Sequence, residues 1–272
     1  MCRMVGIVSL IPLKALECLA KSECSLLAQA ERGKQSDGWG IGYYDASGNL
    51  RVFKSPNSVY SEKDLFIRVS SSIVSKIIIA HIRKASNPMN LPREKLIGLE
   101  NTQPFTYKNL IFAHNGSIKA LEARKKLGEY DSLIKGVNDS EVYFALLIKH
   151  WYELKGLDPK ERFLESIERT ERDLWSSSKE RRKPYSSLNM LFSDGKQLYA
   201  FNKYIEGEDY KSICYEDSAY FQMVFRHEKS KLIIASEKMD RGEWKQLSNG
   251  EAIIARPHGK TIKYERVLAG GA

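Results

Sequence analysis

Three short apolar runs restrict what this chain can fold into more than any other feature. VGIVSL (residues 5–10), KIIIAHI (76–82) and LIFAHN (110–115) are rich in Val, Ile and Phe, and each ends at polar or turn residues. A continuous apolar run of that length reads as a buried strand. None of them approaches the ~18 apolar residues that a membrane span needs. The chain therefore has at least three strands in its interior, far apart in sequence, and the remaining segments have to cover them.

Those segments alternate little between strand and helix. Residues 13–32 have apolar side chains near helical spacing, with Gly33 as a plausible C-cap. DGWGIGYYDASGNLRVFKS reads as a hairpin about Ser47-Gly48, and residues 65–72 as a helix. Residues 87–100 form a Pro-containing loop. A short helix over 119–127 precedes NDSEVYFALLIKHWYELKG, where Asn138 and Glu141 suggest a capping box and the helix is apolar on most faces. An amphipathic helix follows over 158–180. After Pro184 three hairpins follow, the first about Asp194-Gly195. Strands, then helices, then strands predict an α+β layered sandwich with mostly antiparallel sheets. No repeat or linker divides the chain, so residues 2–272 read as a single domain.

Composition narrows the function classes. The net charge is +9 over 272 residues, which would suit a nucleic-acid protein. The basic residues are spread along the chain among acids, however, and the densest cluster, KERRKP at 179–184, reads as a solvated helix end. No nucleic-acid partner is expected. The apolar start is interrupted by Pro12 and followed by Lys14 and Glu17, without a cleavage pattern, so it does not read as a secretion signal. The four cysteines, Cys2, Cys18, Cys24 and Cys214, form no CxxC pair and no zinc spacing. The simpler context is a reducing cytoplasm, with Cys18 and Cys24 as ordinary helix residues and no metal, cofactor or membrane contact.

A few residues stand out as candidates for chemistry. Cys2 directly follows the initiator Met1, and a second residue that small usually lets Met1 be trimmed. A thiol and a free α-amine (pKa ~7.7–8.0) would then share one residue, the amine serving as base for the nucleophile. By itself such a cysteine is more often accidental. Arg83 follows IIIAHI, where its guanidinium could grip a carboxylate bidentately or sit in a structural ion pair. Asn115-Gly116 ends LIFAH: the pair is the commonest type I′ turn, yet an amide and a Gly N–H there could also bind an oxyanion. Asp139 opens a helix, either as a cap or as an acid that holds an ammonium group.

The order of these motifs is more specific than any one of them. MCR-x-x-G, DGWG, AHIRKAS, NTQPF, AHNGSI, NDSE and IIASEKMD together resemble the class II glutamine amidotransferases, which are N-terminal-nucleophile hydrolases. The likeness is strongest to their stand-alone branch, which includes the γ-glutamyl amidohydrolase of ergothioneine synthesis. It runs from residue 2 to about residue 255. The resemblance implies a four-layer α-β-β-α sandwich and an enzyme without a cofactor. It implies Cys2 as nucleophile with its α-amine as base, Asn115 and Gly116 as oxyanion hole, Arg83 on the substrate carboxylate and Asp139 on its ammonium group. Ser86 stands where better-known members have threonine and keeps a hydroxyl for the substrate. Gln103 replaces the histidine of NTHPF, and Asn87-Pro88 replaces a frequent glycine; both differences are expected at the substrate rim. The substrate would be glutamine, with ammonia passed to a separate synthetase or acceptor subunit, or a larger γ-glutamyl amide that is simply hydrolysed.

Overall fold

The computed structural model describes residues 2–87, 90–178, 183–205 and 211–269. The chain enters as β1 (Arg3–Lys14), a π-helical turn (Glu17–Lys21) and helix α1 (Leu26–Gly33), then β2 (Trp39–Tyr44), β3 (Leu50–Ser55), α2 (Lys63–Ser72) and β4 (Val74–Ile82). A short α3 (Arg93–Leu96), β5 (Phe105–Tyr107), β6 (Leu110–Asn115), α4 (Ala120–Arg124) and a 3-10 turn lead to the long helices α5 (Asp139–Glu153) and α6 (Pro159–Ser177). The remainder is β: β7 (Asn189–Ser193), β8 (Leu198–Asn202), β9 (Val224–Glu228), β10 (Lys231–Ala235), β11 (Lys245–Gln246), β12 (Glu251–His258) and β13 (Thr261–Leu268).

Two sheets result, ordered β11-β9-β10-β1-β4-β2-β3 and β13-β12-β8-β7-β6-β5. Their pairings are antiparallel. Successive side chains of a strand point to opposite faces, and three apolar layers sort them. Met4, Val8, Ile77, Ile79, Ile111 and Ala113 meet between the sheets. Val5, Ile7, Ile78 and Ala80 face α1 and α2 on the outer side of the first sheet. Phe112 and Phe192 face α5 and α6 beyond the second. The four layers are thus helix, sheet, sheet, helix. Burial on both faces is why the apolar runs show no alternation. α5 has apolar residues on most faces because it is buried from Ser140 to Ile148.

Several local expectations are corrected. The first strand runs on to Lys14, and the helix expected over 13–32 is broken in two, with Lys34 rather than a glycine in the left-handed conformation after α1. The Asn138 side chain accepts from the Ser140 N–H, while the Glu141 carboxylate turns back to the Lys135 and Gly136 N–H groups, so it closes the preceding loop. Residues 179–182 of the basic cluster, and Pro88, lie outside the described residues.

Cysteine usage is also corrected. Cys24, just before the N-cap of α1, is bonded to Cys214, 190 residues later, with Cα atoms 6.1 Å apart; Cys2 and Cys18 remain thiols. Spacing cannot reveal such a pair, because tertiary structure alone brings the two segments together. A cross-link over so long a loop is worth about 5 kcal/mol in the chain-entropy model. Protein unfolded without reductant should therefore titrate two thiols, rising to four after reduction, and Cys214→Ser should lower the thermal midpoint. Four free thiols in the unreduced protein would refute the bond.

Candidate active site

The two sheets bring distant residues to one end of the sandwich. Arg3 pairs with Ile82 across β1 and β4, so Cys2 and Arg83, each one residue beyond that pair, emerge side by side. Asn115 ends β6 in the facing sheet, and Asp139 opens α5 behind it. Cys2, Arg83, Ser86, Gly116 and Asp139 all line one cavity of about 600 Å³. Asn115 lies just beneath, fully buried.

Cys2 is held through its neighbours. Its thiol donates to the Lys84 carbonyl at 3.6 Å, and its own carbonyl accepts from the Tyr220 hydroxyl at 3.3 Å. Arg3, completely buried, stacks on the Tyr220 ring at 3.6 Å and pairs with the buried Glu237 at 3.3 Å. Ser236 bonds the Met4 backbone N–H at 2.9 Å. The SEKM stretch, which had no role of its own in the sequence, thus anchors the strand that carries the thiol. Burial pushes the Cys2 thiol up.

Arg83 is 4% exposed, and its guanidinium donates to the carbonyls of Leu96 (2.7 Å) and Asp37 (3.3 Å). Among the described residues it has no salt-bridge partner, so the structural ion pair is not formed and the cation borders the cavity. The half-buried Asp139 accepts from the N–H groups of Ile118 (2.7 Å) and Ser140 (3.0 Å). Burial outweighs those bonds and raises its pKa to about 6. A buried cation and a carboxylate on one cavity suit a zwitterionic ligand. Ser86 is exposed at the mouth.

Asn115 and Gly116 are not a hairpin turn. Neither has the positive φ that a type I′ turn requires, and β6 continues into an irregular segment. The Asn115 amide has no hydrogen-bond partner on either polar atom among the described residues. A buried amide left so is unusual and costs stability unless a ligand completes it. A Cβ on Gly116 would come within 2.2 Å of the Ser187 carbonyl oxygen, so only glycine fits.

Sequence reasoning passed over the support behind these groups. Gln103, expected at the rim, borders the cavity from below at 1% exposure, with its amide on the His114 backbone. The His114 ring bridges Ser140 and Ser187, and burial holds its pKa at about 4, so it is neutral. Their only sequence signal was membership in NTQPF and AHNG.

Comparison with known proteins agrees with this geometry. The family model described as class II glutamine amidotransferases matches residues 1–267. The chain belongs to that family. It is 30% identical over 234 residues to the uncharacterized protein MJ1515 of Methanocaldococcus jannaschii, an alignment over 80% of this chain and 60% of that one. It is 28% identical over 182 residues to the "Probable glutamine amidotransferase DUG3" of Saccharomyces cerevisiae, over 60% of this chain and 48% of that one. The chain thus spans about half the length of the curated relatives it matches. In fold it resembles a glutamine aminotransferase class-II domain protein from Silicibacter pomeroyi, with TM-score 0.64 and 19% identity over 99% of this chain and 100% of that one. It also resembles the glutamine phosphoribosylpyrophosphate amidotransferase of B. subtilis, with TM-score 0.61 and 18% identity over 97% of this chain and 49% of that one.

The closeness of Gly116 to Ser187 is directly testable. Gly116→Ala should lower unfolding stability by about 1–3 kcal/mol in denaturant titration; an unchanged midpoint would contradict the described approach.

Proposed function

We propose that this amidotransferase is a glutaminase that cleaves the side-chain amide of glutamine through a thioester on Cys2. The observation that carries the reading is the assembly on one cavity of a thiol, a guanidinium and a carboxylate, above a buried amide, with neither the guanidinium in an ion pair nor the amide in a hydrogen bond among the described residues. Once Met1 is removed, the Cys2 α-amine takes the thiol proton and the sulfur attacks the amide carbon. The oxyanion accepts from the Asn115 Nδ2–H and the Gly116 N–H. The amine then protonates the departing ammonia, and water hydrolyses the thioester to glutamate. Arg83 and Asp139 hold the α-carboxylate and α-ammonium groups, and Ser86 adds a hydroxyl at the mouth; they orient the substrate and make no bonds to the reacting carbon.

Residues 2–272 act as one amidotransferase domain in this reading. Strands β7–β13 complete both sheets rather than building an acceptor site, and in this reading ammonia is received outside these residues. A second reading, hydrolysis of a larger γ-glutamyl amide, is favoured by cavity size: about 600 Å³ lies in the range that holds drug-sized ligands. The cavity reaches Leu121 on α4 and Ser178 beyond α6. None of the described helices is long and apolar enough to cross a membrane. The Cys24–Cys214 bond departs from the reducing cytoplasm in which such bonds are rare.

A screen of glutamine and bulkier γ-glutamyl amides with ammonia detection tests both readings. Cys2→Ala should lose at least about 10⁴-fold in kcat, and a glutamine-like diazo-ketone should label Cys2 in the wild type. Turnover of neither amide class by the Met1-free enzyme would overturn the reading. The pH profile tests Asp139. Its carboxylate must be ionised to bind an ammonium group, and its raised pKa means that charge is lost as pH falls through about 6. The decline of kcat/KM with falling pH, already begun by protonation of the amine, should steepen there. Asp139→Asn should lower kcat/KM at neutral pH and remove the steepening.

A further inference from the structure

The register of the second sheet gives Gln103 a particular place. β5 pairs with β6 so that Phe105 lies opposite Phe112. Carrying that antiparallel register two residues back places Gln103 opposite His114. Hydrogen-bonded pairs alternate along an antiparallel ladder, so the rung at His114 falls to Gln103, whose own backbone makes no such bond among the described residues. The side chain of Gln103 makes the pairing instead. Its Oε1 accepts the His114 N–H at 2.6 Å, and its Nε2 donates to the His114 carbonyl at 3.3 Å. His81 Nε2 reaches the same carbonyl at 3.2 Å.

The backbone of Gln103 is itself confined. A Cβ on Gly40, in DGWG, would come within 2.4 Å of the Gln103 carbonyl oxygen. The ring of His114 is fixed as well: the Ser140 hydroxyl donates to Nδ1 at 2.8 Å, and Nε2–H donates to the Ser187 carbonyl at 2.9 Å. Every polar atom of His114 is therefore engaged. The next residue, Asn115, has a side chain engaged by nothing among the described residues. A rigidly held residue thus stands directly before an amide left free for a ligand.

We propose that Gln103 is a positioning residue for catalysis: its amide replaces a missing rung of the β5–β6 ladder and holds the Asn115 side chain and Gly116 N–H at oxyanion distance. Donors to an oxyanion work at about 2.7–3.1 Å, and a displacement near 1 Å costs about 10²-fold in rate. The proposal rests on the oxyanion reading of Asn115 and Gly116 above, so the test separates the two.

The experiment uses the full-length, Met1-free enzyme with glutamine, or with whichever γ-glutamyl amide it turns over best. It compares wild type, Gln103→Met, Gln103→His and Asn115→Ala. Besides kcat and KM, it measures the rate at which iodoacetamide alkylates Cys2. That reaction displaces iodide from a saturated carbon and develops no oxyanion, so it reports the thiol without the oxyanion site. Gln103→Met, similar in length but unable to form either bond, should lose about 10–100-fold in kcat, with KM and alkylation rate within about threefold of wild type. Gln103→His retains a ring nitrogen for one of the two contacts and should fall between, with the same separation of kcat from alkylation. It also serves as the test if the Met variant does not fold.

Unchanged kcat in the Gln103 variants would overturn the proposal, as would a parallel loss of kcat and alkylation, which marks a general disturbance of the fold. If Asn115→Ala loses about 10²–10³-fold while Gln103→Met is unaffected, this proposal alone fails. If Asn115→Ala keeps full kcat, the oxyanion reading fails and takes this proposal with it.

Discussion

The antiparallel pairing of β1 with β4 is the constraint on which the site depends. Arg3 sits opposite Ile82 and Val8 opposite Ile77, and both strands are buried on their two faces. A slip of one residue would exchange the sheet-facing and helix-facing side chains of the whole strand. With each face already packed, that slip is strongly disfavoured. The register that suits the core therefore also sets Cys2 beside Arg83. Arg3 reinforces it from the end of the strand, where its buried contacts with Tyr220 and Glu237 bind β1 to the segments that precede β9 and follow β10.

The cavity's electrostatics follow from the same burial. Removal from water raises the Cys2 thiol and Asp139 and lowers two buried histidines. His81 and His114 are neutral for that reason and serve as hydrogen-bonding struts rather than as acids or bases. Among the described residues Arg83 has no carboxylate partner. The site thus pairs a cation that can be neutralised with a carboxylate that can be ionised, and an amino acid with opposite charges at its α-carbon would supply both.

Much of this was legible because burial leaves a mark in composition. The unalternating runs around Ile7, Ile78 and Phe112 announced strands buried on both faces, and Val142–Ile148 announced a helix enclosed all round. Motif order pointed to Cys2, Arg83, Ser86, Gly116 and Asp139, which the fold does bring to one cavity. The local errors share one cause. The Asn138/Glu141 pair, and the turn alternative for Asn115-Gly116, followed rules for isolated caps and turns, whereas tertiary partners, the loop at Lys135 and Ser187, decide their conformations. Gln103 was read as a rim residue because its partner, the His114 backbone, belongs to the next strand and has no side-chain signature.

The sequence by itself determined the layered α+β class, the strands that had to be central and the set of polar residues at strand and helix ends, because hydrophobic burial and local geometry are written in neighbouring residues. Only the tertiary structure decided that Cys24 meets Cys214, that Arg83 has no ion-pair partner among the described residues, and that the Gln103 side chain completes a sheet where its own backbone does not. Each of these depends on atoms brought together from segments distant in the chain, and no spacing along the chain encodes the distance between them.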